Sequence, residues 1–316
     1  MKRIISIFVS LVIIIGVFSG CGKKNNITKL KIGLAAPAAT HGWVAGVAYY
    51  AEKYCKENEI EYKLTISADA DEMKKNIEDL KDWGMNALVV WPQWAGMEAS
   101  IDEVINSNIP VVSFDVDISS KGICKVTGNN YDMGYKSAEY ITKKVGEAAS
   151  IAVLDVPSAS SVSQLRKQGF YDYMEEIGYD ISNVFEVSED SFSRDCGYRD
   201  MTEILKNHDR VDAVFSLDDE ASIGVVKAIT EENRKDIKAI TGGGGMQEYF
   251  NMIADVKYAD LGLASVLYSP SMIEDAIKVA IELGENKSSS RIVIIPTKVI
   301  SSENVKKYID NKNTIY

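Results

Sequence analysis

The side chains that could do chemistry in this sequence are aromatic rings, carboxylates and one arginine, and they recur just after short apolar runs. Trp43 follows the run at 30–36, with His41 two residues before it. Trp91 closes the run at 87–91, and Pro92, Gln93 and Trp94 come next. Asp115 closes 109–114, and Arg166 follows 151–154. Phe192 follows a short run near Val187, and Asp218 follows 211–216 within the triplet Asp218-Asp219-Glu220. Three of the four tryptophans stand at such run ends; the fourth, Trp83, precedes Gly84 and reads as core. This set suits binding rather than bond-making. The C–H face of a sugar ring stacks on an aromatic face, and ring hydroxyls make charge-assisted hydrogen bonds, the strong kind, with carboxylates and a guanidinium.

Enzymatic signatures are missing. There is no GxSxG elbow, no Walker loop and no HExxH helix. The glycines at 242–245 lack the Lys-Ser/Thr of a phosphate loop and read as a turn. Two histidines, His41 and His208, and four cysteines without a CxxC pair argue against zinc or a histidine relay. No metal, cofactor or catalytic residue is expected. Each candidate also has a plain structural alternative. Asp115 could cap the next helix. In the acidic triplet Asp219 or Glu220 is better placed to cap than Asp218. Arg166 could be a solvated helix charge. Only the joint placement favours a site.

Such positions need elements that bring run ends together. Continuous apolar runs are strands covered on both faces, as in parallel sheets. They are expected at 30–36, 62–67, 87–91, 109–114, 151–154, 211–216, 237–241 and 291–300, with helices over 43–57, 71–82, 163–177, 220–232 and 270–283. The alternation implies right-handed βαβ units. The cadence restarts at Ala149, so the fold class is α/β, with two similar doubly wound parallel-sheet halves. Ligands in such sheets bind at the carboxyl ends of strands, so the natural site is the cleft between the halves.

The beginning of the chain reads as an address. Lys2 and Arg3 precede an apolar run over 4–18, and Ser19-Gly20-Cys21 follows. The run is short for a membrane-spanning helix and has the layout of an export signal. Small-small-Cys at its end marks a lipoprotein signal over 1–20, with Cys21 the lipidated residue and 21–29 a polar tether; an uncleaved anchor is the alternative. A multiply acylated cysteine is a stable anchor at about 0.8 kcal/mol per buried CH₂. Cys55, Cys124 and Cys196 remain, an odd number that excludes a full disulfide framework but leaves room for one bridge. With 46% hydrophobic and 26% charged residues the chain is globular, and a formal charge of −11 argues against nucleic acid as a partner.

Four stretches carry a resemblance: 110–115 (PVVSFD), 128–134 (GNNYDMG), 166–170 (RKQGF) and 215–220 (FSLDDE). With them the chain resembles the type I periplasmic-binding-protein-like family, ribose-binding protein group, over residues 29–316. The resemblance implies two lobes joined by a hinge, 30–129 with about 267–297 and 130–266 with about 298–316. It implies a ligand cleft between them and chain crossings near 128–131, 262–268 and 297. It places the family's binding positions on His41, Trp43, Trp91, Asp115, Arg166, Phe192 and Asp218. A family asparagine becomes Trp91, a family aspartate falls near Gly244, and a family glutamine falls at Leu267 or Tyr268. Those departures set the site apart from a ribose site. The implied function is capture of a monosaccharide outside the cytoplasm by a monomeric, lipid-anchored protein that delivers it to an ABC permease. The alternatives are a sugar sensor that signals to a membrane histidine kinase or chemoreceptor, and a receptor for a furanosyl quorum signal.

Overall fold

The computed structural model describes residues 30–39, 42–159, 161–285, 291–313 and 316. Cys21, the signal, the tether and His41 lie outside the described residues. The expected α/β class, with two parallel-sheet lobes, is the fold observed.

The first lobe is a six-stranded sheet, order β11-β5-β4-β3-β1-β2, all parallel. Its strands are β1 (Lys31–Pro37), β2 (Glu61–Ser67), β3 (Ala87–Val90), β4 (Val111–Phe114), β5 (Cys124–Gly128) and β11 (Ile292–Ile295). Helices α1 (Gly42–Glu57), α2 (Ala70–Asp82), α3 (Glu98–Asn106) and α9 (Ile273–Gly284) cover it. The second lobe repeats the plan, order β12-β10-β9-β8-β6-β7, parallel except for β12 against β10. It contains β6 (Ile151–Asp155), β7 (Val184–Ser188), β8 (Ala213–Phe215), β9 (Ala239–Gly244), β10 (Leu263–Leu267) and β12 (Val299–Ser301). Its helices are α4 (Asn130–Val145), α5 (Ser161–Glu176), α6 (Arg194–Asn207), α7 (Asp219–Glu231) and α8 (Gln247–Ala254). Strands β3, β4, β6 and β8 are buried at every residue, which is why their sequences are near-continuous apolar runs, broken only by Ser113 and Asp155, rather than alternations.

The chain passes between sheets after Gly128, after Leu267 and between Ile295 and Val299. The last passage corrects the sequence reading. The run 291–300 is two strands in two sheets, not one. Pro296 has no amide to continue the β11 ladder. Beside it Thr297 Oγ1 donates to Leu267 O at 2.5 Å, and Lys136 Nζ donates to Thr297 O at 2.8 Å, pinning the passage against α4 and the Leu267 passage.

A second correction concerns the glycine run. Gly242, Gly243 and Gly244 belong to β9 and are not a turn. A Cβ at Gly242 would lie 2.5 Å from Ser222 Oγ, and one at Gly243 1.6 Å from Met133 Cε. The strand runs close beneath α7 and α4: at Gly242 the Asp218 carbonyl oxygen also stands 2.9 Å away, and at Gly243 the tip of Met133 fills the space a side chain would take. Helix pairs in this lobe also approach closely. A Cβ at Gly134 on α4 would lie 1.7 Å from Arg166 O on α5, and one at Gly169 on α5 would lie 1.9 Å from Tyr131 O on α4.

No disulfide forms among the described residues; Cys55, Cys124 and Cys196 are buried thiols. Among the described residues no helix is long and apolar enough to cross a membrane.

Candidate binding cleft

A cavity of about 340 Å³ opens between the carboxyl ends of the two sheets. The first lobe contributes Trp43, Trp91 and Asp115 to its lining; the second contributes Arg166, Phe192 and Asp218; Tyr268 comes from the second passage. Seven of the eight candidate positions thus converge on one space. The eighth, His41, lies outside the described residues. Gln93, Trp94 and the backbone of Gly243 and Gly244 also face the cavity.

The aromatic wall is built from strand ends. Trp43, in the first turn of α1, meets Trp91 edge-on at 5.3 Å between ring centroids and stacks on Phe114 at 6.2 Å. Its indole Nε1 donates to Tyr268 O at 2.7 Å, which fixes the ring. Trp91 Nε1 is buried without a partner.

Asp115 does not cap a helix. Its backbone is left-handed (φ 66°), turning the chain sharply at the end of β4 toward β5. That conformation is costly for a non-glycine residue and persists where the surroundings over-determine it. Here Asp115 N donates to Val126 O at 2.8 Å, and Thr127 Oγ1 donates to Asp115 O at 3.0 Å. The Asp115 carboxylate receives the Tyr268 hydroxyl at Oδ1. Burial raises its pKa, and the Tyr268 bond and the Arg166 charge oppose the rise.

Arg166 is not a solvated helix charge. It is 5% exposed and its fork is tied down. Nε donates to Asn130 Oδ1 at 3.0 Å and Nη1 to Leu217 O at 2.8 Å. Its Cζ lies 4.8 Å from the Tyr268 ring centroid and 5.7 Å from that of Phe192. Asn130 Nδ2 in turn donates to Tyr268 Oη at 3.0 Å. Asp115, Tyr268, Asn130, Arg166 and Leu217 therefore form one hydrogen-bonded chain running from lobe to lobe. Asn130, which does not line the cavity but ties Arg166 to Tyr268, is not among the candidates read from the sequence. Its neighbour Asn129 caps α4 through Asp132 N, and a second asparagine directly after a cap was the available signal.

The acidic triplet divides its work. Asp218, not Asp219 or Glu220, caps α7: Oδ1 accepts from Glu220 N at 2.6 Å and Ala221 N at 3.3 Å. Asp219 Oδ2 accepts from Gly245 N, Met246 N and Ser265 Oγ at 2.7–3.0 Å, bracing β9 and β10. Glu220 Oε1 accepts from Gly42 N of the other lobe at 2.7 Å. Burial, then Asp219 and Glu220, pushes the Asp218 carboxyl up to about 8 against the pull of Arg166. Glu189, buried behind this wall with both oxygens unpartnered, is pushed up to about 9 by burial and then by Asp200.

A raised carboxyl makes the fold less stable as pH rises. The unfolded chain loses the Asp218 proton near pH 4 while the fold keeps it to about 8, so the fold binds the extra proton across that window. Asp218→Asn preserves a good helix cap and removes the titration. Its melting temperature should exceed the wild type's by about 3 °C or more at pH 8, the difference shrinking toward pH 4. Thermal melts across pH check this; parallel wild-type and variant profiles would refute it.

The family described as the periplasmic binding protein domain matches residues 32–288, and the chain belongs to it. It is 26% identical over 286 residues to the ribose import binding protein RbsB of Bacillus subtilis, covering 89% of each chain. Among solved structures it superposes on a periplasmic solute-binding protein of an ABC transporter from Actinobacillus succinogenes with bound D-allose (TM-score 0.78, 17% identity, 89% of this chain and 100% of that one). It also superposes on the Caulobacter myo-inositol binding protein (TM-score 0.77, 18% identity, 89% and 96%).

Proposed function

We propose that this chain captures a monosaccharide outside the cytoplasm, in the cleft between its lobes, and delivers it to an ABC importer. The carrying observation is that the cavity sets a carboxylate on one lobe against a guanidinium on the other, beside a wall of tryptophan. A ring hydroxyl both donates and accepts, so one sugar can use both ends at once. The relatives and neighbours whose names give ribose import, D-allose and myo-inositol support that ligand class.

The proposed moving units are 30–129 with 267–297 and 130–266 with 298–316. Only a ligand that touches both lobes favours the closed form, and turning a 1:99 population into 99:1 takes about 5.5 kcal/mol of differential binding. The export layout of 1–20 and the small-small-Cys ending support a protein held at the membrane through Cys21. Palmitate labelling should mark the wild type and not Cys21→Ala.

A thermal-shift screen against neutral monosaccharides and inositols tests the function. A ligand at a hundred times its Kd stabilises by about 2.7 kcal/mol, a rise of roughly 5–10 °C. Absence of any shift across the panel would overturn the sugar reading.

A further inference from the structure

The lobes also meet beside the cavity, at the start of α1. The first amides of a helix have no partner within the helix and carry partial positive charge. At the start of α1, which has no acidic residue in its first turn, the Gly42 amide is met by Glu220 Oε1 from α7 of the second lobe. A helix end in one lobe is thus satisfied by a carboxylate of the other.

Tyr316 stands at the same place. The segment after β12 is first held by the second lobe, where Gln247 Nε2 donates to Tyr308 O at 3.2 Å and Asp310 N donates to Gln247 Oε1 at 2.7 Å. It then reaches the first lobe, where Asn313 Nδ2 donates to Tyr50 Oη at 2.7 Å. The Tyr316 ring is 3% exposed and packs in the same apolar cluster as Trp43, Val44 and Val47. A Cβ on Gly42 would lie 3.4 Å from the ring, and one on Gly46 3.4 Å from Tyr316 Cβ. On the far side the hydroxyl lies 2.1 Å from where a Gly244 Cβ would stand, at the end of β9. The ring is therefore a wedge between α1 of one lobe and β9 of the other. Glycine at all three contacts leaves it room.

We propose that Glu220 and Tyr316 form a latch that holds the two lobes together without ligand. The proposal rests on the reading of the lobes as moving units. Both are positioning residues: they set how often the cleft is closed, not what it binds. Apparent affinity scales with the closed fraction, so the latch raises affinity for any ligand the closed cleft accepts.

The test needs no ligand. Exposed Glu78 on α2 and Glu203 on α6 take a dye pair through Glu78→Cys and Glu203→Cys, and single-molecule energy transfer reads the interlobe distance in the unliganded protein. Glu220→Ala and Tyr316→Ala should each lower the closed-to-open ratio about tenfold, the factor given by 1.4 kcal/mol. Tyr316→Phe keeps the wedge and should match the wild type; Glu220→Gln keeps an acceptor oxygen and should fall between. If Tyr316→Ala does not melt cooperatively, Glu220→Ala and Glu220→Gln carry the test. Distance distributions of folded Glu220→Ala that superpose on the wild type would overturn the latch. Failure of the sugar screen would leave this readout untouched.

Discussion

Asp115→Ala and Arg166→Ala are each expected to weaken binding of the captured sugar by about 10²- to 10⁴-fold, the effect of losing two hydrogen bonds to a charged group at about 1.5–3 kcal/mol each. Their effects on the unliganded protein should differ. Asp115 occupies a turn whose backbone bonds survive truncation, and Tyr268 Oη keeps its bond from Asn130. Arg166 is the only basic side chain among the described residues lining the cavity, and its removal strands Leu217 O and Asn130 Oδ1. Arg166→Ala should therefore melt earlier as well as bind poorly. Arg166→Lys separates the two: it keeps the charge but not the planar fork, so it should retain most of the stability and little of the affinity. Calorimetry with the sugar that gives the largest thermal shift, alongside circular dichroism, reads both quantities. Wild-type affinity in a folded Asp115→Ala would place the ligand elsewhere.

Gly134→Ala should be the most damaging single-methyl change in the second lobe. The added carbon would sit 1.7 Å from Arg166 O and 2.7 Å from its carbonyl carbon, so backbone rather than a side-chain tip must yield. Overpacking of this kind costs about 1–3 kcal/mol, occasionally more. We expect a fall in melting temperature of about 5 °C or more. Whatever folds must carry α5 away from α4, and Arg166 with it, so affinity should drop although no ligand contact was touched. A melt within a degree of the wild type would show that the helices separate freely.

The parts of this protein legible in the sequence are those governed by local pattern. Runs such as 87–91 and 151–154 announce buried strands because both faces of those strands are covered. Asp115 stands out because strand ends in such folds face a common space, and Arg166, inside α5 rather than at a strand end, because of the stretch at 166–170. The failures at 242–244, at 291–300 and at Tyr268 share one cause: partners far along the chain. Glycines 242–244 are extended because they pair with Ser265–Leu267 of β10, a fact no local glycine rule contains. The run 291–300 divides because its halves pair with Cys124–Gly128 in one sheet and Leu263–Leu267 in the other. Tyr268 was reached only as a departure from a family position. Its place between Asp115 and Asn130 joins residues 153 and 138 positions apart.

The late position of β11 has a consequence for biosynthesis. The first lobe begins at β1, yet α9, which packs on β3 and β4, and β11, which closes the β5 edge, are encoded after the whole of β6 to β10. A nascent chain that has emerged only as far as Gly128 has an unpaired β5 edge and an uncovered sheet face, and it cannot finish its first lobe however long it waits. Completion requires the last stretch of translation, so the two lobes mature nearly together, and a fragment ending at the first crossing should be a poor substitute for either.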